Sequence, residues 1–207
     1  IKIDDNYYLK KPLLSAYIKT GNIIAVSNQL KKIEVTADKD IYLDACLFIG
    51  KELLLISDKK KAEEYFNKII TSVKNKDYNE ILAKTFYYKK NFVEAEKVLK
   101  EIYLNDSKDI SNISKLAICF YKNGKQKEAA RAITEMKTLV KEFQFGELDY
   151  ALAQYYAAIN DEENSMNYLL KSVAQGKAFK NSSYQNDPHF LAYFNNREFQ
   201  NILKFWN

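Results

Sequence analysis

The chain has 207 residues, and its 32 basic and 27 acidic side chains give a net charge of +5. An apolar fraction of 47% excludes a disordered chain, while 29% charged residues and the lack of an apolar run of ~18 residues argue against membrane-spanning segments. Five glycines and two prolines are too few for the many tight turns of a β-sandwich or barrel. This composition favours helices joined by short polar turns.

Apolar residues recur at helical spacing along most of the chain, in units of two short amphipathic helices. The first helix of each unit carries a packing triplet. The second helix carries another triplet: a small or β-branched residue, then an apolar residue four positions later, then a third residue three positions after that one. The first-helix triplets are Leu13-Leu14-Tyr17, Ile49-Gly50-Leu53, Leu82-Ala83-Phe86, Leu116-Ala117-Phe120 and Leu152-Ala153-Tyr156. The second-helix triplets are Val26-Leu30-Ile33, Ala62-Phe66-Ile69, Ala95-Leu99-Ile102, Ala129-Ile133-Met136 and Ser165-Leu169-Ser172.

The units follow one another at intervals of 33 to 36 residues, which predicts five helical hairpins. Because one hairpin cannot bury its apolar face alone, neighbouring hairpins are expected to stack. The predicted fold is therefore all-α, a right-handed α-solenoid or superhelix of helix-turn-helix hairpins. We place the hairpins approximately at 7–42, 43–75, 76–109, 110–145 and 146–176.

The repeat ends after Gly176, and residues 177–207 are predicted to form a loop and two helices that cap the array. Asp187 and Pro188 mark a helix start, with an N-cap followed by proline at the first helical position. Arg197 opens the last helix. A hook that binds a partner is the alternative role for this segment. The apolar stripe of the last helix is Phe199, Ile202, Leu203 and Trp206.

The triplets resemble the tetratricopeptide repeat, W-x2-L-G-x2-Y, then A-x3-F, then P, over about 34 residues. The resemblance covers roughly 7–176, and the tail spacing D-P-x-F-x2-[YF] then x2-R-x-F-x2-I-L is similar to the segment that closes many bacterial arrays of this family. No repeat has the leading Trp or the closing Pro, and Val26 and Ser165 stand where alanine is usual. The resemblance implies a non-catalytic scaffold or adaptor that binds a peptide segment or partner protein in the concave groove lined by the first helices.

The same resemblance implies which side chains line that groove, namely the exposed positions beside each first-helix triplet. Tyrosines and lysines alternate there; tyrosine offers a broad contact area and lysine a positive charge on an adaptable stem, which suits an acidic peptide. With 16 tyrosines and many lysines in the chain, an ordinary solvated surface is the competing interpretation. The predicted partner-binding residues are Lys51, Leu54, Lys84, Tyr87, Tyr88, Ile118, Tyr121, Lys122, Tyr150 and Gln154, with Lys11, Lys19 and Leu47 as further lining positions.

Signals for catalysis are weak. His189 is the only histidine, which argues against a His-dependent triad or a multi-His metal site and favours a surface or helix-capping role. The chain has no Gly-rich phosphate-binding loop, no G-x-S-x-G and no C-x-x-C. Cys46 and Cys119 are predicted to be separate buried thiols. We expect no enzymatic activity, metal, cofactor or small-molecule substrate.

Two alternative functions stay open. Phe143, Phe145 or the aromatic tail could form an apolar patch for self-association, as in a homo-oligomer or a structural subunit of a larger assembly. Related helical repeats bind RNA, but the mild charge and the lack of a regular base-reading residue pair in each repeat argue against nucleic acid.

Overall fold

A computed structural model describes four stretches of the chain. Within them the chain forms helices and no strands. Among these residues no helix is long and apolar enough to cross a bilayer. The chain divides into two compact units, Ile1–Lys90 and Asn91–Asn207, which we call the N-terminal and C-terminal units. The described residues are 7–74, 76–139, 144–176 and 182–205.

The N-terminal unit contains two helical hairpins and one further helix. α1 packs against α2 and α3, and α3 packs against α4 and α5, around one shared core. Gly50 lets α3 and α4 approach closely, because a Cβ at this position would overlap the buried ring of Phe66. The helices are α1 (Tyr7–Lys19), α2 (Ile23–Thr36), α3 (Lys39–Leu55), α4 (Lys59–Ser72) and α5 (Asn79–Tyr88), with a short 3-10 helix at Lys76–Tyr78.

The C-terminal unit continues the same arrangement. α6 packs against α7, α7 against α8 and α9, and α9 against α10. Because adjacent helices pair in both units, the predicted class, an all-α helical-repeat solenoid, is confirmed. The third predicted hairpin contributes α5 to one unit and α6 to the other, and the hairpin limits stay predictions. These helices are α6 (Phe92–Asn105), α7 (Ile110–Lys122), α8 (Gln126–Thr138), α9 (Glu147–Ala158) and α10 (Glu162–Ala174).

The C-terminal tail, described over 182–205, packs against α9 and α10. The helix starts predicted at Pro188 and Arg197 are confirmed, although the first is a 3-10 helix, and a short helix that was not predicted precedes it. Trp206 lies outside the described residues. The tail elements are α11 (Ser182–Gln185), a 3-10 helix (Pro188–Tyr193) and α12 (Arg197–Ile202). Their buried side chains Tyr184, Phe190, Phe199, Ile202 and Leu203 share a core with Met166 and Leu169.

The packing triplets are almost completely buried in the second helices and less so in the first helices. In the second helices every triplet residue is buried apart from Ile102, which is half-buried. In the first helices Leu13 is 41% exposed, so the expectation that it is a core residue is wrong. The half-buried triplet residues of the first helices are Tyr17, Leu82, Phe86, Phe120 and Tyr156. Leu13 lies on the outer side of α1, opposite the buried Leu14 and Ile18.

The turn inside each hairpin has the same backbone geometry in every repeat. One residue of each turn adopts positive φ. In four of the turns the amide of the residue after it donates a hydrogen bond to the carbonyl of the last residue of the first-helix triplet, as Asp58 N does to Leu53 O at 2.9 Å. This next residue is Asn or Asp in four of the five turns, and its side chain caps the second helix. The positive-φ residues are Gly21, Ser57, Lys90, Gly124 and Asn160.

Candidate partner-binding surface

The first helices of the hairpins lie side by side in each unit, α1 beside α3 and α3 beside α5, and α7 beside α9. Most of the predicted partner-binding residues lie on these helices at spacings of three or four, so they share helix faces. We call Lys51, Leu54, Lys84 and Tyr88 the α3–α5 surface. We call Tyr121, Lys122, Tyr150 and Gln154 the α7–α9 surface.

The α3–α5 surface is held together by a contact between its two helices. Lys51 Nζ on α3 lies 5.1 Å from the ring centroid of Tyr88 on α5, within the range of a cation–π interaction. Leu54 and Tyr88 are half-buried and pack against the core of the N-terminal unit. Lys84 forms an ion pair with Glu80 at 3.4 Å, one turn away on the same helix. The side chains of this surface are therefore positioned before any partner arrives.

The predicted lining residue Lys11 makes several contacts beside this surface. Its ammonium lies 3.0 Å from Asp44 Oδ2 and 4.9 Å from the ring centroids of Tyr7 and Tyr8. The buried carboxylate of Glu52, on the same helix as Asp44, accepts a hydrogen bond from Ser15 at 2.5 Å. The positive charge predicted for this part of the groove is therefore balanced by acidic groups.

Part of the α7–α9 surface is occupied by the tail. Tyr150 Oη and Gln154 Nε2 both donate to Asp187 Oδ2 at 2.6 Å, and the Phe190 ring packs edge-on against Tyr150 with a centroid distance of 5.9 Å. Two predicted partner-binding residues thus bind an acidic and an aromatic side chain of the same polypeptide. The sequence pattern predicts only an N-cap role for Asp187, and Asp187 performs this role by accepting a hydrogen bond from His189 N at 2.9 Å.

The site around Asp187 stabilises an ionised carboxylate inside the protein. Burial alone would raise the pKa of Asp187, but the His189 ring, the Tyr150 hydroxyl and the His189 amide together hold this pKa well below its usual range. His189 Nδ1 lies 2.5 Å from Asp187 Oδ1, and both side chains are buried. Of the surface or helix-capping role expected for His189, the structure excludes the surface position and places the side chain at a helix start, bonded to the N-cap residue Asp187.

Three predicted lining residues do not have the expected exposure. Leu47 and Tyr87 are each 6% exposed and Ile118 is 1% exposed, so the groove positions transferred from the family pattern are wrong for them. Leu47 belongs to the shared core of the N-terminal unit. Lys19 and Lys122 are exposed and Tyr121 is half-buried; their role in binding stays a prediction.

The remaining predicted features are the two cysteines and an apolar patch. Cys46 and Cys119 are confirmed as free buried thiols, and burial raises the pKa of each to about 12. Phe145 is 64% exposed, and Phe143 lies outside the described residues.

A charged cluster around the buried Glu96 was missed by sequence reasoning. Glu96 on α6 accepts hydrogen bonds from Lys100 Nζ and Lys125 Nζ at 2.6 Å and from Asn123 Nδ2 at 2.7 Å. Burial favours the neutral carboxyl, but these three donors outweigh it and lower the pKa of Glu96 to about 2. The cluster ties α6 to the turn between α7 and α8. The only signal in the sequence is that Glu96 directly follows the packing residue Ala95.

Among the described residues no group of three or more His, Cys, Asp or Glu side chains is placed to hold a metal ion. Comparison with protein-family models, with curated proteins and with solved structures finds no match for this chain. The tetratricopeptide resemblance therefore rests on the repeat pattern of the sequence alone.

Proposed function

We propose that this chain is a non-catalytic scaffold of the tetratricopeptide type, which binds a peptide segment of a partner protein on its first helices. The observation that carries the proposal is the α3–α5 surface, where Lys51 lies over Tyr88 and the half-buried Leu54 follows Lys51 by about one helical turn. Such a surface offers an aromatic ring, an aliphatic side chain and a cation to a partner.

The restraint of these side chains supports binding, because residues that are already ordered lose little conformational entropy when a partner docks. Lys84 shares its charge with Glu80, and Lys11 shares its charge with Asp44. The Lys84–Glu80 pair lies at the surface, and surface ion pairs are weak and can exchange partners. A peptide with one apolar residue beside an acidic residue therefore fits this surface.

The test is a capture experiment from source-cell lysate with the complete chain as bait. We expect Lys51→Glu/Lys84→Glu to lose at least one protein that the wild type retains. The control is Lys60→Glu/Lys97→Glu, which makes the same charge change at exposed positions on the second helices α4 and α6 and should retain that protein. Thermal unfolding of all three proteins shows whether the fold is intact. Equal capture by all three would refute binding at the α3–α5 surface.

Self-association is the second candidate, because Phe145 and Phe205 in the C-terminal unit are 64% and 46% exposed. Exposed aromatic side chains of this size are common at protein interfaces. Sedimentation velocity at protein concentrations from about 5 to about 200 μM tests this candidate. If the dimer dissociates with a constant of about 10 μM, the protein shifts from mostly monomer to mostly dimer over this range. A monomer at every concentration would exclude it, and a mass that falls in Phe145→Asn would support it.

A further inference from the structure

α1 is apolar on two opposite sides. Tyr7, Leu14 and Ile18 are buried against the rest of the N-terminal unit. The other side is exposed, with Leu9 at 77% and Leu13 at 41%. A helix with apolar residues all round normally has neighbours on both sides. We define the α1 outer stripe as Leu9, Pro12, Leu13 and Ala16, which are all exposed and spaced as i, i+3, i+4 and i+7.

Exposed apolar side chains are concentrated on the first hairpin. Of the eleven large apolar side chains that are exposed among the described residues, five lie on α1 and α2. By comparison, α3 packs against another first helix on each of two sides, α1 and α5. The outer stripe therefore has the composition of a helix-packing face. The five side chains are Tyr8, Leu9, Leu13, Ile24 and Val35.

The same hairpin carries most of the excess positive charge of the chain. Between Tyr7 and Thr36 the sequence has five lysines and one acidic residue, Glu34, whereas the whole chain has a net charge of +5. Lys11 is paired with Asp44 on α3. A symmetric contact between the α1 helices of two copies would bring lysines against lysines, because α1 contains no acidic residue. The lysines are Lys10, Lys11, Lys19, Lys31 and Lys32.

We propose that the α1 outer stripe docks an amphipathic helix of another protein, with an apolar stripe that meets Leu9 and Leu13 and with Asp or Glu at its flanks. Apolar burial supplies the contact, and the carboxylates complement the lysines of the first hairpin. Pro12 and Ala16 are small, so a second helix can approach closely beside the two leucines. The stripe extends over two helical turns, roughly 10 Å, which matches a helix contact better than the broad apolar face of a membrane-surface helix.

The proposal is tested by selection from a displayed library of helical peptides that share a leucine stripe and have randomised flanks. The complete wild-type chain is the target. We expect at least tenfold enrichment of peptides with acidic flanks. This enrichment should be lost with Leu9→Glu/Leu13→Glu, whose substitutions lie at exposed positions. It should persist with Val93→Glu/Leu104→Glu, a matched change of exposed apolar residues on α6.

Two further measurements separate this surface from other binding modes. The first uses Lys51→Glu/Lys84→Glu as the target. If the same peptides are still enriched, they bind the outer stripe, and this result does not depend on the proposed function of the α3–α5 surface. Neutral or basic flanks, or equal enrichment on the Leu9→Glu/Leu13→Glu variant, would overturn the proposal. So would stripe-dependent binding of phosphatidylserine–phosphatidylcholine vesicles without selection of acidic peptides, because the face would then bind a membrane.

Discussion

Replacing Glu96 with Gln keeps the size of the side chain and removes the charge that Lys100, Lys125 and Asn123 surround. The pKa of Glu96 falls from 4.5 to about 2 in the folded chain. Each pKa unit corresponds to about 1.4 kcal/mol, so the ionised carboxylate contributes roughly 3 kcal/mol to folding. Both lysines are partly exposed and regain water contacts in the variant, which reduces the expected loss to about 2 kcal/mol.

The sign of the pH dependence follows from the lowered pKa. The stabilisation is complete above the unfolded-state pKa near 4.5 and disappears as the pH falls through the folded-state value near 2. Urea unfolding followed by circular dichroism, at pH values from 7 to 2, gives the free energy of unfolding of wild type and Glu96→Gln. Their difference should be about 2 kcal/mol at pH 7 and close to zero at pH 2.

The control is Glu128→Gln, which neutralises an exposed carboxylate on α8. This change is expected to alter the free energy of unfolding by less than about 0.5 kcal/mol at any pH. A Glu96→Gln difference that is equally large at pH 2 and pH 7 would show that the loss comes from packing, and would refute the electrostatic argument.

Three further predictions concern stability. Gly124→Ala should lower the free energy of unfolding by about 1 kcal/mol through the positive φ alone, because the added Cβ meets open space. Lys90→Gly, at the equivalent turn, should raise the free energy of unfolding by about 0.5–1 kcal/mol. Melting temperatures of the two variants that move in the same direction would contradict this. Gly50→Ala should cost about 1–3 kcal/mol by overlap with Phe66, and an unchanged urea midpoint would show that the ring moves freely. Asp187→Ala should speed amide exchange at least tenfold in the tail but not in α7, and uniform protection would show that the tail is held by apolar contacts alone.

The repeat and its buried positions could be predicted because burial on one side of a helix is a local property of the sequence. Ala95 and Ala129 fall at the centre of the packing as the spacing requires. Leu13 shows where this reasoning fails. α1 is apolar on both sides, so periodicity cannot say which side faces the core.

Other features depend on neighbours that are distant in sequence. The carboxylate of Asp187 meets Tyr150 and Gln154 more than thirty residues away, and no local pattern encodes that meeting. Ser57 and Lys90 adopt a backbone conformation usually reserved for glycine. The Asx residue that follows each of them was a usable signal, because it repeats with the period of the hairpins.

The tail on α9 and α10 has a consequence for assembly. A stack of similar hairpins that is open at both ends can bind further copies of itself head to tail. Such an assembly grows into a filament unless the copies close into a ring. Here Tyr150 and Gln154 already bind Asp187, and Phe190 and Phe199 are fully buried beside them. The face of α9 and α10 that the tail covers is therefore closed to the head-to-tail addition of a further module.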